Sequence, residues 1–172
     1  MSISQCDLPA QLSTNAAVLG CLLRPENTFV GATKYSSTGI LDAEVLLKIA
    51  VSLEPSVRVI LDVGAQVLEL QNETVSNAWL SRIPEAEAQA VIFVDERNEI
   101  CVLSRDGRKE LLQNSPFAQQ MDQCLVYLDE SQTRGTDLKL PIDYRAIVTL
   151  GPGLTKDRLV QGTATTDVMF SC

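Results

Sequence analysis

With 172 residues, 45% of them apolar, and a mean hydropathy of +0.09, the chain carries enough nonpolar side chain for one core, which excludes a disordered segment and makes a single domain the default. A formal charge of −8 argues against a free-standing nucleic-acid binder, whose affinity would rest on Lys and Arg at phosphates. No apolar stretch approaches the roughly 20 residues of a membrane span, and the first residues lack a basic start followed by an apolar run, so the expectation is a soluble, intracellular protein, cytoplasmic or nuclear.

The first element is a short helix over residues 13–23, with a polar N-cap and a stop before Pro25. A loop follows, with a brief strand at 28–32, and apolar residues at helical spacing over 41–53 give a second helix before Pro55. Residues 57–63 are rich in β-branched side chains and end in Asp62-Val63-Gly64-Ala65, the junction of a doubly wound sheet. A capped helix over 72–83 carries Trp79 as a core anchor and leads to a strand at 90–94. Strand, helix, strand implies a right-handed crossover.

Asp95 to Glu99 and Arg105 to Arg108 read as tight turns around a run at 100–104, so a small antiparallel insertion is expected, ending at 109–112. Residues 116–123 suit a short helix, 125–128 a buried strand, and 145–150 a second buried strand before the Gly151-Pro152-Gly153 turn and a helix start at Thr155. The expected fold is therefore α/β: a largely parallel sheet of about four strands with flanking helices and a small antiparallel β insertion.

The strand at 125–128 breaks at once into polar chemistry, with Asp129, Glu130, Thr133, Arg134 and Asp137, and the carboxyl ends of strands are where open α/β sheets hold their sites. These residues with Gly135 form a candidate polar cluster. The competing reading is that Arg134 and Asp137 pair with each other or cap a helix, with Gly135 serving the backbone under either. Thr155, Lys156 and Gln161 are candidate phosphate contacts if the helix start faces an anion, with Arg158 and Lys139 as further basic groups; solvated surface charge is the alternative.

Thr133-Arg134-Gly135-Thr136-Asp137 and Gln161 resemble two motifs of the second RecA-like lobe of superfamily 2 helicases. A longer resemblance joins residues 57–66, the Tyr127-Leu128-Asp129-Glu130 run, residues 133–141 and residues 150–161 to the C-terminal region of very large, mainly fungal proteins that carry the name ubiquitinyl hydrolase. It covers roughly residues 57–161, implying there a partial RecA-like lobe, related to P-loop NTPases, and thiol-dependent cleavage of ubiquitin conjugates by the parent protein; the helices read at 13–23 and 41–53 make residues 1–56 a helical N-terminal segment before it. The implied partners are the remainder of that parent, a partner lobe, or ubiquitin conjugates. Where the family pattern has Ala-His this chain has Ser131-Gln132, and residues 162–172 depart from the family's Arg- and Met-rich helix, reading as an atypical tail after a truncation, a missed splice junction or a frameshift.

A thiol hydrolase needs an imidazole or equivalent base beside its cysteine, and the chain has no histidine. Cys6, Cys21, Cys101, Cys124 and Cys172 are odd in number, form no C-x-x-C pair and read as reduced thiols, so neither a catalytic residue nor a metal site is assigned. Gly31-Ala32-Thr33-Lys34 lacks the order of a phosphate-binding loop, and no cofactor is expected. The resulting expectation is a deubiquitinase-family fragment inert by itself, the alternative being a helicase-like lobe that binds nucleotide or nucleic acid with a partner lobe.

Overall fold

The computed structural model describes residues 41–129, 131, 138–141 and 143–150, with the backbone of Met169–Phe170. The elements expected at 13–23, at 28–32 and from Thr155 onward lie outside the described residues.

Helix α1 (Ala43–Ser52) starts where Asp42 accepts a hydrogen bond from the Val45 amide at 2.8 Å. Glu69 adds a second cap from another part of the chain, accepting from the Ala43 amide at 2.6 Å. Six of its residues, from Ala43 to Ala50, are buried against the sheet. Strand β1 (Val59–Asp62) follows, then α2 (Asn72–Leu80), β2 (Ala90–Val94), β3 (Ile100–Ser104) and β4 (Lys109–Leu111). Strands β5 (Cys124–Asp129) and β6 (Arg145–Val148) complete the main sheet, and the two residues of β7 (Met169–Phe170) lie beside β6. The order is β4-β3-β2-β5-β1-β6-β7.

The fold is thus α/β with a largely parallel sheet, flanking helices and a small antiparallel part, an arrangement consistent with a partial RecA-like lobe. Strands β2, β5, β1 and β6 run parallel, whereas β3 and β4 are antiparallel additions on the β2 side. β1 and β2 are buried at every residue, because a parallel sheet is covered on both faces. One face, with Ile60, Phe93 and Tyr127, packs under α1 and α2; the other, with Leu61, Ile92 and Val126, packs under Leu112, Phe117, Leu138 and Tyr144. Trp79 is 0% exposed, the core anchor expected of it. Its indole N–H and the Ser76 hydroxyl find no hydrogen-bond partner among the described residues.

Two differences from the sequence reading have local causes. The helix expected at 116–123 is instead a string of short 3₁₀ turns, Leu112–Asn114, Pro116–Gln119 and Met121–Gln123. Ser115 caps the second, and Gln120, at φ −124° and ψ 47°, interrupts continuous helical backbone. The helix expected to reach residue 83 ends at Leu80, where Ser81, Arg82 and Ile83 close separate turns onto Asn77, Trp79 and Leu80. Within the tail read as atypical, the backbone of Met169–Phe170 pairs in parallel with Arg145 and Ala146.

The turns of the insertion follow their sequences. Asp95 accepts from the amides of Arg97 at 2.9 Å and Glu99 at 3.1 Å, and Asn98 takes φ +60°. Gly107 takes φ +82° in the next turn. Among the described residues no helix is long and apolar enough to cross a membrane.

Candidate functional site

Strand order places a topological switch point between β1 and β5. From β1 the chain crosses past β5 to reach β2, by way of α2 on one face of the sheet. From β5 it crosses past β1 to reach β6, with Leu138 and Tyr144 on the opposite face. Reversing both direction and face preserves handedness, so the two connections share one hand. In such sheets the crevice between the two carboxyl ends is the default binding position. Asp62 and Asp129 stand there in register on neighbouring strands, and strand alternation turns both toward α2.

Asp62 is 1% exposed and fully engaged. Its Oδ1 accepts from the Gln66 amide at 2.9 Å and from the Thr149 hydroxyl at 2.5 Å, and its Oδ2 accepts from the Val67 amide at 2.9 Å. Thr149 also accepts from the Gly64 amide at 3.0 Å, and Ala65 takes φ +47°. The loop after β1 is therefore folded around its own carboxylate. A phosphate-binding loop leaves such amides open to an anion; here Gly64, Gln66 and Val67 donate inward.

Asp129, the described member of the polar cluster expected from sequence, accepts from Asn72 Nδ2 at 2.8 Å and from the Ser131 hydroxyl at 2.7 Å. Asn72 also donates to the Val94 carbonyl at 3.0 Å, so the first turn of α2 is tied to the ends of β2 and β5. Glu130, Thr133, Arg134, Gly135 and Asp137 lie outside the described residues, as do Thr155, Lys156, Arg158 and Gln161. Lys139 is exposed. Burial, then the charges of Asp62, Asp129 and Glu69, push the Tyr127 phenol up.

Beside this crevice a cleft of about 840 Å³ runs between the start of α2, the β2–β3 turn and β4. Its wall carries Glu73, Asp95, Glu96, Glu99 and Glu110 against Arg97 and Lys109. The opposite edge of the sheet holds cations bound to backbone carbonyls. Arg58 donates to Glu87 and lies 5.8 Å from the centre of the Tyr144 ring. Arg105 donates to Ala88 at 2.8 Å and to Ile83 at 2.7 Å, and Arg145 to Pro55 at 3.2 Å. Among the described residues the carboxyl edge is acidic on balance, which sets their field at the crevice against phosphate.

The two described cysteines are buried and free. Burial pushes the Cys101 thiol up to about 11 and the Cys124 thiol up to about 12. The Tyr144 hydroxyl, which donates to the Met121 and Cys124 carbonyls, is pushed up to about 12, again chiefly by burial. These raised values fix a sign. Below a pH of about 8.5 the unfolded thiols are protonated too and the folded state loses nothing. As pH rises from there through 11 to 12 the unfolded chain ionises first and folding weakens. The melting temperature should therefore fall steadily above pH 8.5, and a flat profile between pH 8 and 11 would contradict the burial of these groups.

Compared with family models, with curated proteins and with solved structures, the chain finds no match in any of the three.

Proposed function

We propose that this chain is a non-catalytic α/β lobe of a larger protein of the kind named ubiquitinyl hydrolase, acting as a scaffold for the parent's other parts or for ubiquitin-pathway partners. The observation that carries the catalytic half of this reading is the lack of histidine together with the burial of the two described thiols. The sequence has no histidine, and burial holds Cys101 and Cys124 protonated far above neutral pH. A thiol hydrolase needs the reverse, a thiolate formed at neutral pH by an adjacent base.

The alternative is a helicase-like lobe that binds nucleotide or nucleic acid beside a partner lobe. The opposed crossovers meeting between β1 and β5 favour it. The inward-bonded amides of Gly64, Gln66 and Val67 and the acidic carboxyl edge weigh against phosphate in the described part of that crevice.

The test is incubation of the purified chain with ubiquitin carrying a C-terminal fluorophore, in parallel with ubiquitin carrying a C-terminal vinyl electrophile. The expected result is no fluorophore release and no adduct on any cysteine. Release with an adduct on one of the five cysteines would overturn the reading.

A further inference from the structure

We propose that Lys109 is a latch that fastens edge strand β4 to α2 and to the end of β2, and that its hold keeps Cys101 sealed from solvent. Strand β4 is three residues long and pairs through Cys101, Val102 and Leu103 of β3, a short ladder at the border of the sheet. The Lys109 ammonium adds what the ladder lacks. It lies 2.7 Å from Glu73 Oε2 on the first turn of α2 and 3.7 Å from Asp95 Oδ2 beyond β2. It also stands 5.4 Å from the centre of the Phe93 ring. Three elements separated in sequence thus meet at one cation.

Cys101 sits beneath this contact. It stands opposite Phe93 on β2 and Leu111 on β4 and is 2% exposed, and its thiol feels the charge of Asp95, the carboxylate that also faces Lys109. When β4 lifts, Cys101 loses its cover. Cys124 would not, because it is 0% exposed on the opposite face of the sheet. The Lys109 and Glu73 side chains are 34% and 48% exposed, so salt reaches and weakens the latch. Local opening of this kind exposes one thiol while the rest of the protein remains folded.

The experiment is peptide-resolved mass spectrometry of N-ethylmaleimide labelling on the full chain, under native conditions, for the wild type and for Lys109→Met, Lys109→Arg and Lys48→Met. Lys48 pairs with Glu44 on α1 and serves as the charge-matched control. Lys109→Met should speed Cys101 labelling about 3- to 10-fold, the range of a few partly exposed ionic contacts, with Cys124 unchanged. Lys109→Arg should stay within about twofold of wild type, and Lys48→Met should match it. Added salt should speed Cys101 labelling in the wild type and not in Lys109→Met, a response that a purely apolar role for the side chain would not give. Equal Cys101 rates in wild type and Lys109→Met, parallel acceleration of Cys101 and Cys124, or a salt-independent wild type would each overturn the latch.

Discussion

Replacing Asp62 by alanine should cost about 3–5 kcal/mol of folding free energy, a large share of the roughly 5–15 kcal/mol that a domain has. The carboxylate accepts from the Gln66 and Val67 amides and from the Thr149 hydroxyl. Truncation leaves these donors in a site that is 1% exposed at Asp62 and 3% exposed at Thr149. Each buried donor without an acceptor costs about 1–3 kcal/mol. Asp62→Asn keeps one oxygen acceptor and should lose roughly half as much. Urea denaturation with an unchanged m-value would measure both. A loss under 1 kcal/mol for the alanine variant would mean that the loop after β1 does not depend on its carboxylate.

Trp79→Ala should be comparably severe, about 3–5 kcal/mol, because the indole is 0% exposed and packs in the cluster that joins α1, α2 and the sheet. Trp79→Phe should cost much less, about 1 kcal/mol, since it retains most of the ring contact and removes an indole N–H that has no partner among the described residues. The ratio of the two losses is the informative quantity. If Trp79→Phe proved as damaging as Trp79→Ala, the N–H would have to be bonded in solution and the core packed differently around α2. Chemical denaturation of both variants, with near-ultraviolet circular dichroism to follow core packing, separates these cases.

The parallel strands were legible in the sequence because short runs rich in β-branched and apolar residues, such as Val57 to Val63 and Ala90 to Val94, suit no other surroundings as well as a doubly covered sheet. The antiparallel insertion was legible too, since Asp95 to Glu99 and Arg105 to Arg108 carry the residues that tight turns require. The short 3₁₀ turns were not. Eight residues with few apolar positions give periodicity too little length to separate a helix from successive turns.

The functional geometry was less legible for a different reason. Asp62 and Thr149 lie 87 positions apart, and Lys109 and Glu73 lie 36 apart. What brings Thr149 to Asp62 is the placing of β6 beside β1, and what forms the crevice is the insertion of β5 between β1 and β2. Local sequence does not encode that order. Asp129 was singled out for ending a buried strand in polar surroundings, and the crevice is where it stands. Asp62 has the same position on the neighbouring strand, and the signal that could have found it was an acidic residue closing an otherwise apolar run.

At the switch point between β1 and β5 the loop after β1 is folded around the chain's own Asp62 carboxylate, so the described part of the crevice serves as architecture. The most direct measurement is a titration of the ¹⁵N-labelled chain with Mg-ATP to millimolar concentration, following the amide resonances of Gly64, Gln66 and Val67. These three should not move, because they donate to Thr149 and Asp62. A saturable shift of the three together would contradict the account and make the crevice a phosphate site.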